Sequence, residues 1–167
     1  MSIALVHETT THGGDATEAL AERIGAACRG GELLLLTGEL GAGKTCFVRG
    51  LARGLGADPR AVRSPSFTVL HSYAGRCTLH HYDVYFTTAL EDLVRSGLQE
   101  ELAAGSVAVL EWGERFAAEL PADRLAVELF HVDPQTRRLR FTATGERARR
   151  LLDAARNAPR SVDSPGA

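Results

Sequence analysis

Glu32-Leu33-Leu34-Leu35-Leu36-Thr37-Gly38-Glu39-Leu40-Gly41-Ala42-Gly43-Lys44-Thr45 joins a run of four leucines directly to the pattern Gly-x-x-x-x-Gly-Lys-Thr. A short continuous apolar run predicts a strand buried on both faces. The glycines that follow allow successive N–H groups to turn inward as an anion nest. From Lys44 to Leu55, Phe47, Val48, Leu51 and Leu55 recur at helical spacing and Gly56 supplies the stop. Strand, glycine loop and helix in this order predict a phosphate-binding loop, with Lys44 reaching the β- and γ-phosphates and the Thr45 hydroxyl reaching Mg²⁺. Lys44 is the only lysine of the chain, against eighteen arginines. A compact ammonium is thus kept where a point charge must fit between two phosphates, a task for which a planar guanidinium is ill shaped.

Outward from this stretch, a first strand is expected at about Ile3 to His7, then a polar loop through Gly14. Asp15 and Glu18 have capping-box spacing ahead of a helix carrying Leu20, Ile24 and Ala27, closed by Gly30-Gly31. Beyond the loop helix, Asp58-Pro59 breaks the chain. Pro65 favours an extended strand from Arg63 to Tyr73, and a turn at Ala74 to Arg76 returns it as a hairpin strand from Cys77 to Tyr85. Thr88 and Glu91 announce a helix through Leu90, Leu93 and Val94, with Leu98 to Ala104 as a further helical piece. Val107 to Leu110 is a second short apolar run, Leu125 to Val132 and Leu139 to Thr144 pair around Asp133-Pro134, and Glu146 to Ala155 is a final helix. The fold class expected is α/β: a P-loop NTPase-like three-layer domain with a mixed, mostly parallel central sheet and antiparallel hairpins at its edges. At 167 residues the chain suits one domain, residues 1–155, with 156–167 read as a disordered tail.

Composition narrows the class. Apolar content of 44% and charged content of 24% are those of a globular protein, and neither a membrane span nor a secretion signal is visible, so a cytoplasmic location is expected. Cys28, Cys46 and Cys77 are odd in number and unpaired in spacing, which signals neither disulfides nor zinc. Residues 1–136 carry 11 basic and 18 acidic groups, whereas residues 137–167 carry 8 arginines and 3 acids. The basic end reads as a solvated helix face or as a surface for RNA phosphates or an acidic protein.

A phosphate loop needs a carboxylate to hold its magnesium through oxygen or water. Glu111 ends the apolar strand Val107 to Leu110, and Asp83 sits in His80-His81-Tyr82-Asp83-Val84-Tyr85, within an expected strand. Uncompensated burial there would be costly, so a metal, water or cation partner is expected. His80 and His81 point to opposite faces, which argues against a shared metal. Ser64-Pro65-Ser66-Phe67 offers hydroxyls on a stiffened segment able to order around a γ-phosphate, or is a plain turn into a strand. Trp112, the only tryptophan, either covers the nucleotide or an interface or is a core residue.

The loop Gly38 to Thr45 with Arg49-Gly50, Ser64-Pro65-Ser66-Phe67, His81-x-Asp83-x-Tyr85 and Glu111-Trp112-x-Glu114, in this order, resembles the TsaE (YjeE) family over about residues 15–145. The resemblance implies a cytoplasmic Mg²⁺-dependent ATPase, weak alone, that binds ATP/ADP and works with TsaB- and TsaD-like proteins. Together they add the threonylcarbamoyl group to the adenosine beside the anticodon of tRNA, and ATP hydrolysis resets the complex. It implies that Gly41, Ala42, Gly43, Lys44, Thr45 and Cys46 bind the phosphates, that Thr45 and Glu111 hold Mg²⁺, and that Asp83 serves hydrolysis or the metal shell. Ser66 and Trp112 would lie beside the nucleotide, and Asp15 corresponds to a region near the base. Phe86 stands where the family usually has a basic residue. The alternatives are a small-molecule kinase, for which Arg95 beside the helix Thr88 to Val94 makes a poor lid, and a module whose interface is ordered by nucleotide occupancy alone.

Overall fold

The computed structural model describes residues 3–64, 70–85 and 97–157. Among the described residues, seven strands form one sheet in the order β1-β7-β6-β2-β5-β4-β3. The strands are β1 Leu5–His12, β2 Leu33–Thr37, β3 Leu70–Tyr73, β4 Leu79–Asp83, β5 Val107–Glu111, β6 Arg124–Asp133 and β7 Thr136–Thr144. The helices among the described residues are α1 Gly14–Ala27, α2 Lys44–Gly54, α3 Leu98–Ala103 and α4 Glu146–Arg156, with 3₁₀ turns at Pro59–Ala61 and Gly113–Phe116. Strands β6, β2, β5 and β4 run parallel at the centre. Antiparallel pairs β6–β7, β7–β1 and β3–β4 close the two edges.

The leucine run explains the layering. Leu34 and Leu36 enter the core beneath α1, α2 and α4, whereas Leu33 and Leu35 enter the opposite core with Leu98, Phe116 and Leu120. Alternation along a strand with two covered faces leaves no position for a polar residue, and all four leucines are buried. Burying four such side chains contributes roughly 1.5–3 kcal/mol each.

Several expectations shift. β1 does not stop at His7 but continues through Thr9, Thr10 and Thr11 to His12, paired with β7. The β-branched threonines suit this half-covered edge position better than a loop. Asp15 is not a cap: the N-cap of α1 is Gly13, with no side-chain capping bond, and Glu18 is held by Arg49 and Arg53 of α2 at 3.0 and 3.1 Å. α1 ends at Ala27 rather than at Gly30-Gly31, and Arg76 donates to the carbonyls of Cys28 at 2.7 Å and Gly25 at 3.1 Å. A guanidinium there meets carbonyls at the C-terminal turn and the negative end of the helix. Of the strand expected over Arg63 to Tyr73, only Leu70–Tyr73 is seen as strand, and Pro65, Ser66 and Phe67 lie outside the described residues. So do Phe86, the helix expected from Thr88 to Val94, Arg95 and residues 158–167. The hairpin β3–β4 forms as expected, but Asp83 is the last residue of β4 rather than an interior one.

The arginines of the basic end are largely engaged within the fold. Arg150 meets the buried Glu32 at 2.7 Å, Arg147 meets Asp123 at 3.7 Å, and Arg149 and Arg156 donate to the carbonyls of Ile3 and Val6 at 2.9 and 3.3 Å. Cys28, Cys46 and Cys77 are free thiols. No helix among the described residues is long and apolar enough to cross a membrane.

Candidate functional site

The site begins where β2 runs out. Thr37 ends the strand, and Gly41 (φ 81°) and Gly43 (φ 105°) take left-handed conformations that residues with a Cβ adopt only under strain. The second of these turns the chain into α2, whose first residue is Lys44. The Ala42 N–H donates to the Glu39 carbonyl at 3.0 Å, tightening the loop. Lys44 Nζ folds back to the carbonyls of Gly38 and, at 3.3 Å, Glu39, and lies 5.0 Å from the centre of the Trp112 ring. The ammonium is thus held at the rim of the helix N-terminus, where the helix dipole favours an anion.

Opposite the loop stand the ends of β4 and β5, whose parallel register sets Asp83 directly beside Glu111. Glu111 is buried, and its Oε1 accepts a hydrogen bond from His81 Nε2 at 3.1 Å. His81 is fully buried and its Nδ1 has no hydrogen-bond partner among the described residues, so the proton belongs on Nε2, facing the carboxylate. The two histidines divide as their spacing demands: His80 turns to the other face, between Ser72 at 2.7 Å and Glu101 at 3.1 Å. Asp83 Oδ1 accepts from the Tyr85 N–H at 2.9 Å. Burial, reinforced by the neighbouring Glu111 charge, raises the Asp83 pKa above its ordinary value despite that bond and the nearby His81 and Lys44.

The ionised form of Asp83 is therefore disfavoured by folding, and the sign of its pH dependence follows. Above the folded pKa the full cost of burying the charge is present, and it disappears as the pH falls through that pKa toward the ordinary carboxylate range. Asp83→Asn, which keeps the acceptor for Tyr85, is expected to raise the melting temperature of the nucleotide-free, magnesium-free protein at neutral pH. The gain should shrink as the buffer is made acidic, as thermal melts across a pH series would read. A gain independent of pH would mean that the charge is not its source.

Trp112 is the one non-glycine residue among those described with a positive φ, at 64°. Such a conformation costs on the order of 1–3 kcal/mol and persists where its surroundings enforce it. Here the ring packs edge-on against Tyr85 at 5.2 Å and under Lys44, which ties the end of β5 to the end of β4 and to the loop. Arg115 adds a second tie by donating to the carbonyls of Val84 and, at 2.9 Å, Tyr85. Glu114 accepts from the Thr37 hydroxyl at 3.2 Å, linking the same turn to the end of β2. Between these walls lies an open cavity of about 290 Å³ lined by Lys44, Thr45, Ser64, Asp83, Glu111 and Trp112 among others.

A family model described as threonylcarbamoyl adenosine biosynthesis protein TsaE matches residues 11–139. The chain belongs to the TsaE family. It is 47% identical over 106 residues to the tRNA threonylcarbamoyladenosine biosynthesis protein TsaE of Treponema pallidum, an alignment covering 64% of this chain and 78% of that protein. The protein of the same name from Bacillus subtilis is 38% identical over 139 residues, covering 82% of this chain and 85% of the relative. Among solved structures, the crystal structure of Bacillus subtilis YdiB superposes with a TM-score of 0.74 at 29% identity, covering 93% of this chain and 97% of that one.

In this TsaE-family chain, Gly41, Gly43, Lys44, Thr45, Cys46, Asp83, Glu111 and Trp112 all border the one cavity. Ala42 is buried behind it and borders a neighbouring cavity of about 520 Å³ reaching Glu128 to His131. Asp15 is exposed in the first turn of α1. Next to it, Cys46 Sγ donates to the Gly14 carbonyl at 3.4 Å, beside a small cavity of about 80 Å³ shared with Pro134 to Arg137. Burial and the nearby Glu18 push the Cys46 thiol up, so it is not a reactive thiolate. Ser66 lies outside the described residues, while Ser64 borders the cavity. Sequence reasoning missed Arg115 and Arg137 at the site and the His81–Glu111 contact; all three depend on partners 31, 95 and 30 residues away.

Proposed function

We propose that this chain is an Mg²⁺-dependent ATPase acting in tRNA threonylcarbamoyladenosine biosynthesis, and that its hydrolysis resets a complex with TsaB- and TsaD-like proteins. One observation carries the reading: the N-terminus of α2, with Lys44 and Thr45, faces the Asp83–Glu111 pair across a single open cavity. The family membership supplies the pathway.

The donor chemistry fits magnesium. Thr45 offers a hydroxyl and Glu111 a carboxylate oxygen, hard ligands that suit a cation otherwise coordinated by water and phosphate. Phosphate oxygens and water would complete the shell around these two ligands. When bound, the ion would neutralise charge on the β- and γ-oxygens. His81, donating to Oε1, holds the Glu111 carboxylate in one orientation, the usual task of a group behind a metal ligand. Lys44 and the loop N–H groups hold the phosphates, and leaving its carbonyl contacts lets Lys44 turn toward them. Asp83, desolvated and so more avid for a proton than a solution carboxylate, accepts one from the attacking water. Trp112 closes the site beside the nucleotide.

One domain over residues 1–155 suffices for this chemistry, in the cytoplasm where its tRNA product is made. Contact with tRNA is indirect, through the partners, a reading supported by Arg149 and Arg150 of α4 being bonded within the fold. The test is phosphate release from ATP by the purified chain, alone and with TsaB- and TsaD-like proteins, with a metabolite pool supplied as possible acceptors. Slow release that rises with the partners is expected. Transfer of phosphate to a metabolite, indifferent to the partners, would replace the proposal with a small-molecule kinase. In the same assay Glu111→Gln is expected to lower release at least about tenfold and to raise the magnesium concentration needed for half-maximal rate.

A further inference from the structure

Arg137 opens the basic end of the chain, and its half-buried guanidinium turns onto the phosphate loop. It reaches from β7, just past the β6–β7 turn, to the back of the phosphate loop: Nε donates to the Ala42 carbonyl at 3.1 Å and Nη2 to the Gly41 carbonyl at 3.3 Å. Nη1 is anchored on its own side by the carbonyls of Asp133 at 2.7 Å and Thr136 at 3.0 Å. The hairpin tip is fixed in turn, since the Gln135 carbonyl accepts from the Gly13 N–H at 2.6 Å.

These bonds set the direction of two successive peptide planes. Across a trans peptide the carbonyl and the following N–H point opposite ways. No cis peptide occurs among the described residues. Holding the Gly41 carbonyl back therefore turns the Ala42 N–H into the loop, where it meets the Glu39 carbonyl at 3.0 Å. Holding the Ala42 carbonyl back turns the Gly43 N–H toward the cavity that Gly43, Lys44 and Thr45 border. Because Gly41 and Gly43 both have the freedom to adopt other conformations, the loop needs an external clamp to keep one of them. A planar cation that bonds two carbonyls at once supplies it, and its charge polarises those peptides so that their N–H groups become better donors to an anion.

We propose that Arg137 is a positioning residue for nucleotide binding, fixing the Gly41–Gly43 backbone so that the Gly43 N–H is presented to the phosphates. The inference rests on the reading of the cavity as a nucleotide site. The test is calorimetric titration of ADP with magnesium into the parent chain, Arg137→Ala, Arg137→Lys and Arg138→Ala, with thermal melts of each in the absence of nucleotide. Arg138 stacks on Phe130 at 4.5 Å and serves as the control. Loss of about tenfold in affinity, corresponding to one charge-assisted contact, is expected for Arg137→Ala. Arg137→Lys should fall between it and the parent, Arg138→Ala should match the parent, and millimolar guanidinium should restore part of the affinity of Arg137→Ala. Folded Arg137→Ala or Arg137→Lys binding ADP as tightly as the parent would overturn the inference while leaving the nucleotide site standing. Should Arg137→Ala not fold, Arg137→Lys alone decides by the same criterion. A parent that binds no ADP would overturn the nucleotide reading and this inference together.

Discussion

Replacing Lys44 with alanine is expected to lower ATP turnover in the presence of the partners by roughly 100-fold or more, with little change in the melting temperature of the free protein. Both halves follow from the same geometry. The partners of the ammonium are the carbonyls of Gly38 and Glu39 and the Trp112 ring, at the wall of an open cavity. Water can replace it at those carbonyls, so the fold loses little. The proposed nucleotide site, by contrast, loses the one side-chain cation that, among the described residues, borders the cavity between the loop and the paired carboxylates. Lys44→Arg would not restore the rate, because a planar fork cannot occupy the position of a compact charge between two phosphates. Phosphate-release rates at saturating ATP, set beside melting curves, would read both effects. A Lys44→Ala rate close to that of the parent would remove the loop from the chemistry.

The second large effect concerns stability. Gly50 of α2 lies so close to α1 that a Cβ built there would sit 2.2 Å from the Glu18 carbonyl oxygen and 2.8 Å from its Cα. Gly54 meets the Glu22 carbonyl at 2.2 Å in the same way, and Gly25 of α1 meets the Leu51 carbonyl at 2.3 Å. These neighbours are backbone, so no rotamer change relieves the clash and the helices must part, opening the core around Leu20, Ile24, Phe47 and Leu51. Helix propensity alone would make Gly50→Ala stabilising by up to about 1 kcal/mol. Overpacking of this kind costs about 3 kcal/mol or more and wins, removing a large part of a typical domain's stability. Urea unfolding of Gly50→Ala would measure it, and a variant as stable as the parent would show that the helices are not packed this closely. The same displacement would move the N-terminus of α2, and with it Lys44 and Thr45, so ATP turnover should fall too.

The contrast between these glycines and those of the loop shows what sequence could convey. Gly41 and Gly43 were legible because their spacing from Lys44 is itself the signal, whereas Gly25, Gly50 and Gly54 acquire meaning only from the facing helix. The double-sided burial of Leu33 to Leu36 was legible in the apolar run, as were the short strand into Glu111 and the β3–β4 hairpin. The extension of β1 through its threonines was not, since a polar β-branched run reads as loop until β7 is found beside it. Asp15 and Glu18 carried a capping signal that tertiary contacts overrode: Gly13 caps α1 and two arginines of α2 claim Glu18. The opposite facing of His80 and His81 followed from strand alternation, but that His81 buttresses Glu111 depends on the register between β4 and β5. The arginines after residue 136 suggested a basic surface by composition. In the fold most of those described are bonded to Glu32, Asp123, backbone carbonyls or the loop.

In the proposed function, hydrolysis at the Lys44, Asp83 and Glu111 cavity renews a partner complex for successive rounds of tRNA modification. The most direct measurement is the number of threonylcarbamoyladenosine residues formed in tRNA per reconstituted complex of this chain with TsaB- and TsaD-like proteins, comparing the parent with Glu111→Gln. Many products per complex for the parent and about one for Glu111→Gln would be the outcome of a complex that cannot reset. Equal, multiple turnovers with both chains, while ATP hydrolysis by the variant is abolished, would contradict the account and leave nucleotide occupancy, not hydrolysis, as what the partners require.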